Sequence, residues 1–136
     1  MLLDALAAHF IANSIGTSAN IFKSFLPDSP DFAICIYEYA GRPSDKAFGT
    51  TIVMENSRFQ VVVRSDRMNV VANAHTTARN KAEAIKDLLD GAGRQTLSGT
   101  IYHYIEALSS SPSNIEIDDN ERQIIRWNFE ANKDRG

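Results

Sequence analysis

Apolar residues recur along this chain at two spacings, and the switches between them mark its elements. Leu2, Leu3, Leu6, Ala7, Phe10 and Ile11 fall at three- and four-residue intervals. That is one face of a short amphipathic helix over residues 2–15, with Gly16 as its stop. Ile21 to Leu26 reads as a short strand, and Pro27 and Pro30 bracket Asp28-Ser29 as a turn. Residues 32–39, FAICIYEY, are β-branched and aromatic, with Phe32, Ile34 and Ile36 on one face and Ala33, Cys35, Tyr37 and Tyr39 on the other. Two apolar faces place this strand near the centre of a sheet. Residues 40–50, AGRPSDKAFGT, form a polar loop. Thr51 to Met54 starts a strand and Glu55-Asn56-Ser57 reads as a turn. Residues 58–65 then alternate, with Phe59, Val61 and Val63 towards the core and Arg58, Gln60, Val62 and Arg64 on a wetter, basic face.

The next segment changes period. Val71, Ala74, Ala78, Ala82, Ile85 and Leu89 form a helical stripe and predict the main helix over residues 67–90, with Asp66 as its N-cap and Gly91 and Gly93 as its stop. Most of the stripe is small, which lets a helix lie close to a sheet. Residues 100–108, TIYHYIEAL, return to strand spacing, with Ile101, His103, Ile105 and Ala107 opposite Tyr102, Tyr104, Glu106 and Leu108. Ser109 to Asn114 is loop by composition, and Ile115 to Asn120 is acidic and turn-like. Residues 121–130 form a closing strand with Ile125, Trp127 and Phe129 inward, and the tail ANKDRG is expected to fray. There is no repeat and no linker. The order helix, strands, long helix, strands predicts a single α+β domain over residues 1–136. Its expected form is a mostly antiparallel sheet of four to six strands, with the long helix packed on one face and a short N-terminal helix.

Composition narrows the function more than the fold. The chain has 136 residues, enough for one hydrophobic core, and 43% of them are hydrophobic. Seventeen acids against fourteen bases leave a net charge of −3, which argues against a general nucleic-acid coat. The single cysteine, Cys35, excludes an internal disulfide and cysteine-rich zinc sites and fits a reducing compartment. An acid at Asp4, where a signal peptide carries positive charge, argues against secretion, and no apolar run approaches a bilayer span. The expected setting is soluble and cytoplasmic.

Candidate chemistry is sparse. His9, His75 and His103 have no Asp, Glu, Cys or His partner at a metal-ligand spacing, and three ordinary histidines are the simpler reading. Cys35 sits in an apolar strand, where burial raises a thiol's pKa and blunts it as a nucleophile. Ser109-Ser110-Ser111 lacks the glycine-flanked elbow of a hydrolase. Gly91-Ala92-Gly93 follows a helix rather than opening one, so it does not cradle phosphate. Tyr102 and Tyr104 with Arg122 and Arg126 have the makings of a base-stacking platform, but cross-strand packing or a protein interface explains the same residues in an acidic chain. These residues alone point to a binding or assembly protein rather than an enzyme, with no cofactor and no metal.

A set of segments in order resembles the tail terminator or minor capsid proteins of long-tailed bacteriophages. They are Leu26-Pro27-Asp28-Ser29-Pro30-Asp31 followed by Tyr37-Glu38-Tyr39-Ala40-Gly41-Arg42-Pro43; Glu55 to Arg64; Leu88-Leu89-Asp90-Gly91; Tyr102 with Ile105-Glu106-Ala107; and Asp118 to Arg122 with Asn128-Phe129-Glu130. The resemblance implies a structural virion protein at the neck. It implies a homo-hexameric ring that caps the tail tube, stops its polymerisation and meets the head connector. The partners implied are further copies of the chain, the tail tube protein and a connector or neck protein, with no membrane and no sequence-specific nucleic acid. No catalytic residue is carried over. Arg42, Lys46, Phe48, Arg58, Arg64, Ser111 and Asn114 are the expected partner contacts, on or beside the two polar loops. A neck adaptor or head-completion protein, a nucleic-acid-binding regulator and a small enzyme with an unadvertised cleft are the alternatives.

Overall fold

The computed structural model describes residues 2–41, 45–46, 52–91 and 93–134. In chain order the elements are α1 (Leu2–Ala12), β1 (Ile21–Lys23), β2 (Ala33–Tyr39), β3 (Asp45–Lys46), β4 (Ile52–Arg67), α2 (Ala74–Leu89), β5 (Gln95–Leu97), β6 (Thr100–Ala107), β7 (Asn114–Ile117) and β8 (Arg122–Asp134). The domain is α+β. Six strands follow the path β1-β2-β4-β8-β6-β5, with β3 beside β4 and β7 beside β8. Among the described residues the continuous path thus has the six strands at the top of the expected range, and the short β3 and β7 add to its margins. Every pairing is antiparallel except β1 with β2.

The antiparallel pair β4 and β8 is the spine, and each half carries different neighbours. Level with residues 122–127 of β8, the strands run β1, β2, β4, β8, β7. At the other end β3, β4, β8, β6 and β5 take over. We call these the lower and upper tiers. Along the spine Phe59 faces Phe129, Val61 faces Trp127 and Val63 faces Ile125, all pointing into the core. The rings of Phe59 and Phe129 stack at 5.3 Å. Ala78, Ala82, Ile85 and Leu89 of α2 pack onto this row over β4, β8 and β6. The α1 side chains Leu2, Leu3, Leu6 and Phe10 join the same cluster. Because α1 touches β1 and β2 and also β5, the sheet curls around the helix layer.

Several local expectations give way to long-range pairing. Glu55-Asn56-Ser57 is not a turn, and the tail is not frayed through Asp134. Each corrects the other, since Glu55, Asn56 and Ser57 pair with Lys133, Asn132 and Ala131. Asn132 Nδ2 donates to Asn56 Oδ1 at 2.7 Å, and Lys133 Nζ meets Glu55 Oε2 at 3.0 Å. Polar residues that read as loop are thus satisfied across the spine.

The long helix starts at Ala74, not residue 67, and Asp66 is not its cap. Backbone pairing holds Arg67 to Arg122, and the Met68 N–H bonds the Glu121 carbonyl, so the chain stays extended past Asp66. Asn73 occupies the cap position at φ 59 with no side-chain cap bond, and Val71 is left outside the core. Gly91, at φ 73, does end the helix as expected. In β6 a bulge between Tyr102 and Tyr104 advances the side-chain phase by one, so Tyr102 and Ile105 share the core face. The acidic segment after Ser113 opens as strand β7 rather than as a turn.

Candidate assembly surfaces

The helices cover one face of the sheet. The other is built from the alternate side chains of the same strands. Its rows follow from register: Tyr39 lies beside Arg58 and Arg58 beside Glu130, while Tyr37 lies beside Gln60 and Gln60 beside Asn128. Gln60 Nε2 donates to Asn128 Oδ1 at 2.9 Å. Tyr37, Tyr39, Gln60 and Asn128 line an open depression of about 310 Å³. Burial, and then a hydrogen bond with Cys35, push the Tyr37 phenol up to about 12. Both residues of that bond stay neutral at physiological pH, because burial also raises the Cys35 thiol. Arg58 sits 3.6 Å from Glu130, too long for a hydrogen bond, and its buried Nε has no hydrogen-bond partner among the described residues.

The lower end of the spine is held by two buried guanidiniums. Arg122 donates from Nε to Asp118 Oδ2 at 2.9 Å, from Nη1 to the Asp28 carbonyl at 2.7 Å, and from Nη2 to Asp28 Oδ1 at 2.9 Å. A longer contact at 3.2 Å reaches Asp31. Arg64 donates to the Pro30 and Asp31 carbonyls at 2.6 and 2.9 Å. Burial opposes both charges. For Arg122 the bonds to Asp28 and Asp118 outweigh it and the net shift is upward. For Arg64 burial and the neighbouring Arg122 charge win, and the shift is downward. Asp118 resists burial through the Arg122 and Asn120 donors and is lowered. A spine bulge between Arg64 and Arg67 makes room for this clasp, and there Ser65 Oγ accepts the Gln123 N–H at 2.8 Å. The result ties the 27–31 loop, the end of β4 and the β7–β8 turn into one rigid end.

Beside that end, β7 is exposed at all four positions and among the described residues pairs only with β8. Both of its ends are fastened. Asp118 accepts the Arg122 and Asn120 N–H groups, and Ser113 bonds the Arg126 carbonyl through N–H and Oγ.

The expected contact residues scatter over these surfaces. Arg58 lies on the open sheet face. Ser111 is exposed just before β7 and Asn114 is exposed as its first residue. Arg64 is only 3% exposed and donates from Nε and Nη2 to the Asp31 and Pro30 carbonyls, so its guanidinium is turned into the fold. Arg42 and Phe48 lie outside the described residues, and Lys46 enters only through its backbone in β3. The nucleotide-stacking arrangement does not assemble, because Tyr102 is in the core and Arg122 is consumed by three aspartates. The histidines stay apart. His9 contacts Asn13, His75 contacts Thr76, and His103 meets Asp134 at 2.6 Å. Among the described residues no three His, Cys, Asp or Glu side chains converge on a metal-sized site, and no helix is long and apolar enough to cross a membrane. Sequence reasoning missed the Arg122–Asp118 clasp, although their i,i+4 spacing was visible, because the two residues read as turn and strand.

Three comparisons bear on this geometry. A family profile described as "Bacteriophage tail terminator protein" matches residues 9–135. A solved chain from the virion of a native gene transfer agent particle has the same fold at a TM-score of 0.64 and 18% identity, over 98% of this chain and 95% of that one. A second solved chain, of no stated function, superposes at 0.53 and 15% identity over 94% of each. No curated protein matches the sequence. The two structural likenesses carry the fold alone.

Proposed function

Because this chain belongs to the bacteriophage tail terminator family and is a structural protein of a phage virion, we propose that it closes the finished tail tube as a ring. One face of the ring occupies the tube's growing end and the other receives the head connector. The supporting observation is the profile match running from residue 9 to residue 135, nearly the whole of this chain. The described surface agrees in kind: broad strand faces, an open strand edge and a rigid clasped end are suited to protein contact. Six copies of 15.1 kDa form a ring of about 91 kDa through head-to-tail contacts that close by rotation. Capping then follows from shape, since the ring fills the tube end without offering an equivalent surface beyond it. Specificity comes from matched outline and charge rather than turnover.

Arg42, Lys46, Phe48, Arg58, Ser111 and Asn114 are the contacts we assign to tube or connector. Arg58 has the most direct physical support, since its side chain is 36% exposed on the open sheet face and carries a positive charge that a partner carboxylate can meet. Deleting residues 42–48 tests the loop. The deletion variant loses the two-residue strand β3 and is expected to keep the rest of the fold, with a cooperative melt, while headless tails accumulate. Normal joining of heads and tails by that variant rejects the assignment. If the protein instead travels with filled heads rather than with headless tails, it is a head-side adaptor and not a terminator.

A further inference from the structure

Two features that no contact yet explains lie on opposite edges of the lower tier. The first is β7. Its Ile115 pairs with core residue Ile125 and its Ile117 with Gln123, so both isoleucines point to the helix-bearing face, yet they are 45% and 63% exposed. Protected sheet edges commonly carry a projecting charge or a proline. The one charge in β7, Glu116, points to the other face and is engaged by Arg126. The second is a recess of about 620 Å³ at the β1 side. Ile11, Ile15, Thr17 and Phe32 line it, with Lys81 of α2 at its wall. Exposed Ile11 offers apolar surface there. The helix α2 separates the two features, and both open on the same face of the sheet.

We propose that the β7–β8 hairpin of one copy docks, through Ile115 and Ile117, into the Ile11–Phe32–Lys81 recess of the next copy. The inference deepens the ring reading above and rests on it. A second copy is the occupant because this chain carries both halves of the fit. The hairpin presents two isoleucines with exposed acids at its turn, Asp119 and Glu121, and the recess sets the apolar walls Ile11 and Phe32 beside hydroxyl and amide groups and the Lys81 ammonium. Because the two patches differ and lie on opposite edges, the contact is heterologous, and repetition through a fixed rotation closes a ring rather than a two-fold dimer. The Arg122–Asp118 clasp and the Ser113 bonds fix the hairpin before it docks, so little ordering is lost on association.

Crosslinking with single cysteines tests this directly, since Cys35 is fully buried and does not compete. Ile117→Cys and Ile11→Cys are made in separate full-length chains, mixed and oxidised. A covalent dimer forms in the mixture and not in either chain alone. The double variant gives a ladder that ends at the ring's subunit number. In parallel, Ile117→Arg and Lys81→Glu, each first shown to melt like the parent, weaken association by roughly tenfold or more in native mass spectra. Self-crosslinking of Ile117→Cys shows a two-fold contact and overturns the proposal. A parent ring with no crosslink in the mixture overturns it while leaving the ring reading intact, and an intact ring in Ile117→Arg does the same and assigns β7 to a different virion protein. A parent that stays monomeric, alone and on tail tubes, removes both.

Discussion

Replacing Arg122 with methionine keeps the apolar stem and removes only the guanidinium. The side chain is 4% exposed and is bonded to Asp28, Asp31 and Asp118, whose side chains are 81%, 37% and 20% exposed. The cost therefore differs by arm. The Asp28 carboxylate rehydrates when released, so its pair is worth at most about 1 kcal/mol. The Asp118 arm loses a charged hydrogen bond in a drier setting, about 1.5–2 kcal/mol, and the Asp28 carbonyl loses a buried donor worth about 1 kcal/mol. The sum is about 3 kcal/mol, which for a chain of this length lowers Tm by roughly 10 °C and the urea midpoint by about 2 M at unchanged slope. Urea unfolding followed by far-UV circular dichroism reads it. Asp28→Asn is the control and costs under about 1 kcal/mol. A loss below about 1 kcal/mol for Arg122→Met, or an equal loss for Asp28→Asn, refutes the view that the clasp organises the lower end.

Other expectations follow from the same contacts. Asp118 has a lowered pKa in the folded chain, so its contribution is complete above its unfolded pKa of about 4 and is lost as pH falls through the folded value. Asp118→Asn should flatten that acid limb of the stability profile, and an unchanged limb contradicts the assignment. At the alkaline end, burial holds Tyr102 at about 12, so stability present below pH 10 declines between about 10 and 12 as the unfolded state loses protons first. Tyr102→Phe should shrink that decline, measured by urea midpoints at stepped pH. Native Cys35 should resist a thiol reagent until urea unfolds the chain, whereas fast labelling without denaturant indicates an open strand. A Cβ at Gly41 would lie 1.9 Å from the Asn56 carbonyl oxygen, so Gly41→Ala must shift backbone and should lower Tm by several degrees; a parent-like melt refutes that close approach.

The parts of this fold legible from the sequence are those whose apolar spacing keeps one period throughout. β2, the 122–130 part of β8 and the middle of α2 are such segments. What the pattern concealed depends on partners distant in the chain. Glu55, Asn56 and Ser57 look like a turn until Lys133, Asn132 and Ala131 lie beside them, and Asp66 looks like a helix cap until Arg122 extends its strand. The bulge in β6 leaves no compositional mark, yet it moves Tyr102 from a presumed surface into the core. The contact residues were harder still. Arg58 and Arg64 occupy the same strand face, but only Arg64 meets the carbonyls of the 27–31 loop, which hold its guanidinium inside the fold. The resemblance to tail terminators lay in ordered short segments, and it agrees with the family profile match.

The capping role is tested most directly by electron microscopy of tails assembled with and without this protein. With it, tubes of uniform length should end in a ring of this chain at the head-proximal end. Without it, tubes should overgrow and remain headless. Tubes of normal length that join heads in its absence would contradict the account.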